Sequence, residues 1–333
     1  MCGPLLRAHS SDMATITGPD TALAAATSPS TDPPALVQVR GLTKRYRSND
    51  ALHGISFEVR RGELFGLLGT NGAGKTTTVE ILQGLRRADG GTVSVLGLDP
   101  ARHGDALRRR IGAQLQDAAL PERMRVHEAL DLFASLHPEP RPLDELAEEW
   151  NLTHLQRRRF DALSGGERQR LFVALALVGR PEVVFLDELT QNLDPANRRS
   201  TWEVVRRVRD SGTTVVLVTH DVDEAERLCD RLVVLHRGRV VAGGTPASIV
   251  AELGGPTTVT FTDTELDVRP LQDLPGVERV ARHGPRVEVI GRGPVLAHVG
   301  AHLVGLGRPA DDLRAQHPSL ESCFLELTKE VDQ

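Results

Sequence analysis

Leu64-Phe65-Gly66-Leu67-Leu68 runs directly into Gly69-Thr70-Asn71-Gly72-Ala73-Gly74-Lys75-Thr76-Thr77, and this stretch decides the fold. The first five residues read as a buried strand and the glycines as a tight loop. The residues that follow read as a helix reaching about Gln83. Together they satisfy G-x-x-x-x-G-K-[ST] in the strand–loop–helix context that a phosphate-binding loop requires. Glycines let the backbone wrap a phosphate chain with its N–H groups turned inward, and the helix N-terminus adds the positive end of its dipole. Lys75 is placed to reach the β- and γ-phosphates, and Thr76 to offer its hydroxyl to Mg²⁺. A chance glycine turn is the competing explanation, and a chain with only Lys44, Lys75 and Lys329 as lysines has few ways to produce the match by accident.

A second element lies downstream, where Val183-Val184-Phe185-Leu186 leads into Asp187-Glu188. Neighbouring strand residues point to opposite sides, so one acid can face Mg²⁺ and the other a water beyond the γ-phosphate. Asp187 is assigned to the metal and Glu188 to the water. Alone, such a pair could be a solvated turn; beneath a phosphate loop it reads as catalytic. A third element, Leu163-Ser164-Gly165-Gly166-Glu167-Arg168-Gln169, opens a helix. Ser164 with Glu167 is a capping box. That leaves the paired glycines unexplained, and a hydroxyl beside open backbone N–H groups makes an anion site.

Outside these motifs the pattern from 36 to 252 alternates short apolar strands (55–59, 64–68, 183–186, 214–218) with amphipathic helices. That is an α/β layer architecture with a largely parallel sheet. Strands 183–186 and 214–218 are almost continuously apolar, as strands covered on both faces are. Helical spacing replaces strands at Val126, Leu130 and Phe133, then at Leu143, Leu146 and Trp150, which marks a helical insert over about 117–180. Residues 1–35, rich in Ser, Thr, Ala, Pro and Gly, read as a disordered tail without a signal-peptide core. After Gly254-Gly255-Pro256, residues 256–333 read as a small α+β accessory domain with strands at 258–261 and 287–290 and an amphipathic close at 320–327.

Composition narrows the function. The 333 residues are 40% hydrophobic and 26% charged, ordinary for a globular protein. No run approaches the ~18 apolar residues that span a bilayer. Forty basic against 45 acidic residues give a net charge of -5, so no nucleic-acid partner is expected. The arginine clusters 108–110, 157–159, 198–199 and 206–207 are read as solvated faces of helices. Cys2, Cys229 and Cys323 are scattered without C-x-x-C spacing, which suits a reducing compartment, and His298 with His302 lacks the further ligands of a metal site.

Through these motifs the chain resembles an ATP-binding cassette (ABC) ATPase, a P-loop NTPase, over roughly 36–252, and LSGGE-R-Q is highly specific to that family. The resemblance implies further roles. Tyr46 matches the aromatic that stacks on adenine, although a sheet-packing role also fits. Gln116 matches the glutamine that contacts Mg²⁺ and senses the transporter, and His220 the switch histidine at the γ-phosphate. Asp194 matches the loop crossing the dimer interface, although Asp194-Pro195 is also an N-cap followed by an N1 proline. Thr70 and Leu189 stand where the family often has proline, Glu167 where glutamine is common, and Gln191-Asn192 before Leu193 is unusual.

Gly244-Thr245-Pro246 and Leu320-Glu321-Ser322-Cys323-Phe324-Leu325-Glu326-Leu327 are similar to segments in the ATPase subunits of daunorubicin-resistance-type exporters. The implied protein binds ATP and Mg²⁺, dimerises head to tail so that Ser164, Gly165 and Gly166 of one copy face Gly69–Thr76 of the other, and powers a separate integral membrane permease. It would lie in the cytoplasm, peripheral at the inner face of the cell membrane. Two alternatives stay open here: a soluble ABC ATPase acting on nucleic acid or ribosomes, and a cassette that binds ATP without turnover.

Overall fold

The computed structural model describes residues 35–46, 49–114, 119–190 and 193–330. The proposed tail (1–35, apart from Ala35), Gln116 and the Gln191-Asn192 pair lie outside the described residues. The chain opens with two antiparallel strands, β1 (Ala35–Tyr46) and β2 (Asn49–Arg60), followed by β3 (Leu64–Gly69), helix α1 (Lys75–Leu82) and β4 (Gly90–Val95). β2, β1 and β4 form an antiparallel sheet in that order. After the short helix α2 (Gly104–Arg108) and β5 (Ile111–Gln114) come α3 (Val126–Ser135), α4 (Leu143–Glu149) and α5 (Gly165–Leu177). The α/β part closes with β6 (Val183–Asp187), α6 (Pro195–Asp210), β7 (Thr214–Thr219), α7 (Val222–Leu228), β8 (Arg231–His236), β9 (Arg239–Gly244) and α8 (Pro246–Leu253).

The central sheet runs β5-β6-β7-β3-β8-β9, parallel except for the final hairpin. Its core strands show why they are almost purely apolar. Phe65, Leu67, Val183, Phe185, Val216 and Val218 pack into one buried cluster with the antiparallel sheet and α1. Leu64, Leu68, Val184, Leu186, Val215 and Leu217, their sequence neighbours, pack into another with the helices of the insert. Alternate side chains of one strand thus serve opposite layers. Each buried Val, Leu or Phe contributes about 1.5–3 kcal/mol, so a polar residue is affordable only at a strand end.

Those strand ends are the functional edge. Register pairs Leu68 with Thr219 and Asp187 with Val218, so the loops leaving β6, β7 and β3 emerge side by side at the carboxyl edge of the sheet. This is where open α/β sheets bind ligands.

Among the described residues between β5 and β6 there is no strand beyond a single bridge pairing Arg125 with Arg159. Val126, Ala129 and Leu130 of α3 and Leu146, Ala147 and Trp150 beside α4 join the helical side of the core. One expectation is corrected: 198–199 and 206–207 ride on α6, but 157–159 is not helical. Its backbone is committed elsewhere, with Val126 N–H donating to Arg158 O (3.1 Å), His127 N–H to Gln156 O (3.0 Å) and Phe160 N–H to Met124 O (2.8 Å).

Beyond α8, β10 (Thr257–Thr262), β11 (Val277–His283), β12 (Arg286–Gly291), α9 (Val295–Gly305) and β13 (Arg314–Gln316) build an antiparallel sheet ordered β11-β12-β10-β13. Its own core joins Val259, Phe261, Val287 and Val289 to Val295, Val299 and Leu303 of α9. His298 and His302 sit on α9, His298 bonding to Pro275 O (2.8 Å), and no cluster of metal ligands occurs among the described residues. The last helix, α10 (Leu320–Glu330), does not join that core: Leu320 and Phe324 are buried with Leu228 and Ile249 in the α/β core, where α10 packs on α7 and α8.

Candidate active site

Gly69 ends β3 where only a glycine fits, since a Cβ there would lie 2.4 Å from Leu235 O. The loop then closes on its own lysine. Lys75 is 5% exposed, and its Nζ donates to Gly69 O (2.9 Å) and Thr70 O (3.1 Å). Gly74 precedes it at φ +103°, a left-handed conformation that glycine adopts without steric cost. No side chain caps α1 and its first turn carries no acid, so the positive end of the helix faces the loop uncapped.

Asn71, Gly72, Gly74, Lys75, Thr76 and Thr77 line a cavity of about 630 Å³, joined by Tyr46 and Glu188. Gly69 and Ala73 lie behind that lining, Ala73 accepting a hydrogen bond from Gly238 N–H (3.0 Å). Tyr46, at the end of β1, is half-buried with the Arg86 guanidinium 5.1 Å and Lys44 Nζ 5.5 Å from its ring centroid.

Glu188 follows β6 with φ +49°, a conformation costly for a residue with a side chain and one that clusters at functional sites. The surroundings hold it: its N–H donates to Val218 O (2.9 Å). Its carboxylate is 5% exposed, with Oε1 4.0 Å from Lys75 Nζ and 3.2 Å from His220 Nδ1. Burial lowers the Lys75 pKa, and the carboxylates of Glu188 and Asp187 oppose that shift. Asp187 is the buried last residue of β6. Lys75, Asp187, Glu188 and His220 therefore meet from three strands.

Ser164, Gly165, Gly166 and Asp194 are not brought to this cavity within one chain. Ser164 caps α5 as the sequence suggests: its Oγ accepts from Glu167 N–H (3.3 Å) and Glu167 Oε2 accepts from Ser164 N–H (2.7 Å). The latter bond is the main reason the Glu167 carboxyl sits below its usual range. Asp194 caps α6, Oδ1 accepting from the N–H groups of Ala196 and Asn197 (3.0 Å each). The two helix starts abut, because a Cβ on Gly166 would lie 2.7 Å from Asn197 Oδ1 and the Asn197 amide is itself bonded to Asp194 (2.5 Å).

Sequence reasoning missed Asp50, Ala51, His53, Arg237 and Gly238, which also line the cavity. Arg237-Gly238 carries a local signal, a two-residue hairpin turn with both φ positive. Its position does not, for the turn is pinned to the phosphate loop through Ala73 and to β2 by His53 N–H donating to Gly238 O (2.8 Å).

Comparison with known proteins agrees with this fold. The family described as ABC transporter is matched over residues 52–191. The chain is similar to the daunorubicin resistance ATP-binding protein DrrA3 of Streptomyces coeruleorubidus, 39% identical over 317 residues and covering 88% of this chain and 95% of the relative. It is also similar to the Nod factor export ATP-binding protein I of Ralstonia nicotianae, 36% identical with 88% and 94% covered. A solved ATP-binding subunit of an ABC transporter matches with a TM-score of 0.60 at 31% identity, covering 66% of this chain and 93% of that one.

Proposed function

We propose, because this chain belongs to the ABC transporter family, that it is the ATP-binding and ATP-hydrolysing subunit of an exporter and powers efflux of a drug-like or lipid-like compound through a separate membrane-spanning partner. The observation that carries the reading is the convergence of Lys75 and His220 on one carboxylate oxygen of Glu188 at the mouth of the phosphate loop.

ATP enters with its phosphates wrapped by residues 69–77 and its adenine against Tyr46. Lys75 exchanges its two carbonyl partners for phosphate oxygens, a charge-assisted replacement that a buried ammonium favours. Glu188 accepts the proton of the water whose oxygen attacks the γ-phosphorus, as the bond to the bridging oxygen of ADP breaks. His220 steadies Glu188 Oε1 and reaches the γ-phosphate. Thr76 and Asp187 are hard oxygen donors of the kind Mg²⁺ prefers, and the family resemblance implies Gln116 as a further ligand. An Mg²⁺ ion held by them would neutralise charge on the phosphates.

Ser164, Gly165 and Gly166, which lie away from the cavity of their own chain, face the γ-phosphate of a second copy in a head-to-tail dimer, and Asp194 lines that interface. ATP binding closes the dimer; hydrolysis reopens it. Among the described residues no helix is long and apolar enough to cross a membrane, which fits a peripheral position on a permease at the inner face of the cell membrane.

Two measurements test the reading. One is phosphate release by the purified chain with ATP and Mg²⁺. The other is ATP-dependent daunorubicin efflux from cells carrying the chain together with a candidate membrane-spanning partner. No turnover in the first assay sinks the enzyme; turnover without export in the second sinks the cargo class.

A further inference from the structure

The start of α6 is fastened to the start of α5, the helix that opens on Ser164-Gly165-Gly166. Both carboxylate oxygens of Asp194 are engaged within their own chain. Oδ1 accepts from the N–H groups of Ala196 and Asn197 (3.0 Å each), and Oδ2 accepts from the Asn197 side-chain amide (2.5 Å). Because the amide nitrogen donates to that carboxylate, the amide oxygen turns the other way, onto α5. It lies 2.7 Å from where a Cβ on Gly166 would stand, with the Asn197 Cβ 3.8 Å away. On the other side of Asp194, Leu193 brings its Cδ2 to 3.5 Å from where a Cβ on Gly165 would stand.

The paired glycines thus have different reasons. A Cβ on Gly165 would make an ordinary van der Waals contact with Leu193, whereas the 2.7 Å separation at Gly166 is one that real Cβ atoms essentially never show. The approach of Asn197 is what requires glycine at 166. Asparagine is a mediocre helix former, and a longer Glu or Gln at this third helical position would reach back to the N-cap backbone, as Glu167 does on α5. What asparagine supplies instead is a short amide that bonds Asp194 with one end and lies against Gly166 with the other.

We propose that Asn197 is a positioning residue for the shared site, a clamp between Asp194 and Gly166 that delivers the starts of α5 and α6 to the partner's nucleotide in one fixed relation. This rests on the head-to-tail dimer of the functional reading above. Leu193, Asp194 and Asn197 do not line the phosphate-loop cavity of their own chain, so the clamp governs closure of the dimer and not uptake of nucleotide. The clamp needs a donor opposite Asp194. An acid at 197 sets two carboxylates at hydrogen-bond distance and opens it by repulsion.

The experiment uses full-length chains in the Glu188→Gln background, where ATP holds the dimer closed. The parent, Asn197→Ala, Asn197→Asp, Gly166→Ala and the double variant Gly166→Ala with Asn197→Ala are compared. Sedimentation with ATP and Mg²⁺ gives the dimer dissociation constant, and calorimetry gives affinity for ADP, which lacks the γ-phosphate. Asn197→Ala is expected to weaken the dimer about tenfold or more, and Asn197→Asp at least as much, with ADP affinity within about threefold of the parent. Asp in a first helical turn suits the helix dipole, so a merely structural role at 197 predicts a normal dimer in Asn197→Asp, and that variant carries the test if Asn197→Ala does not fold. Gly166→Ala is expected to weaken the dimer about tenfold or more because its methyl meets the amide oxygen. Truncating Asn197 leaves that methyl 3.8 Å from the Cβ at 197, so the double variant should lie within about threefold of Asn197→Ala alone. The clamp is refuted by a parent-like dimer in Asn197→Asp, by equal losses of dimer and ADP affinity, or by a double variant in which the two losses multiply. No ATP-dependent dimer in the parent would instead overturn the shared site itself, so the two failures are distinguishable.

Discussion

Replacing Glu188 by Gln should separate ATP binding from ATP hydrolysis in opposite directions. The carboxylate and Lys75 Nζ are 4.0 Å apart and both side chains are 5% exposed, so little solvent screens them. At an effective dielectric of ~20 a pair at that distance is worth about 4 kcal/mol of gross Coulomb energy. In the resting site that attraction offsets part of the burial cost that lowers the Lys75 pKa. Gln keeps the shape and the hydrogen-bonding atoms and removes the charge, leaving a buried ammonium with Asp187 as its remaining carboxylate. The phosphates of ATP then relieve an electrostatic deficit that the wild-type site does not have. If a third of the pair energy is recovered on binding, affinity rises about tenfold, since ~1.4 kcal/mol is a factor of ten. Turnover should fall about 10²-fold or more, the range for loss of a positioned base. Calorimetry gives the first quantity and phosphate release the second. Weaker ATP binding would mean that Lys75 and Glu188 are not coupled as the 4.0 Å contact implies, and turnover within threefold of wild type would place the base elsewhere.

Lys75→Ala should abolish or severely weaken ATP binding, because water cannot replace an ammonium in a closed phosphate site; retained micromolar affinity by calorimetry would contradict the loop assignment. In the Glu188→Gln background, size exclusion with ATP and Mg²⁺ should show a dimer that vanishes when Ser164→Arg is added, since a bulky cation fills the anion pocket at the start of α5. A dimer that survives would mean that the site is not shared between chains. Phe324→Ala should cost about 3 kcal/mol in denaturant unfolding, because the ring is 8% exposed within the α/β core. A cost below ~1 kcal/mol would show that α10 is not docked there.

The parts of this protein legible in its sequence are those whose signal is local. The phosphate loop is nine consecutive residues, and Asp187-Glu188 closes an apolar run that could only be a buried strand. The antiparallel sheet was harder. Residues 55–59 were readable, but β1 was not, because its pairing is interrupted by register shifts such as the one between Val39 and Leu42, which break the period-two alternation. The helical reading of 157–159 follows the helical spacing of the apolar residues before it and fails because the backbone there bonds to residues 124–127 instead.

The same limit explains why the site was legible in its members and not in its coupling. An amphipathic stripe such as 320–327 says that one face is buried, but not that α7 and α8 bury it. Likewise His220 and Glu188 were each recognisable, whereas their contact depends on β6 and β7 lying side by side, on a left-handed backbone at Glu188, and on whatever holds α7 against α6. Glu224 reads in sequence as one more acid in the solvated first turn of a helix. Only when α6 is folded over it does that carboxyl become buried against Trp202.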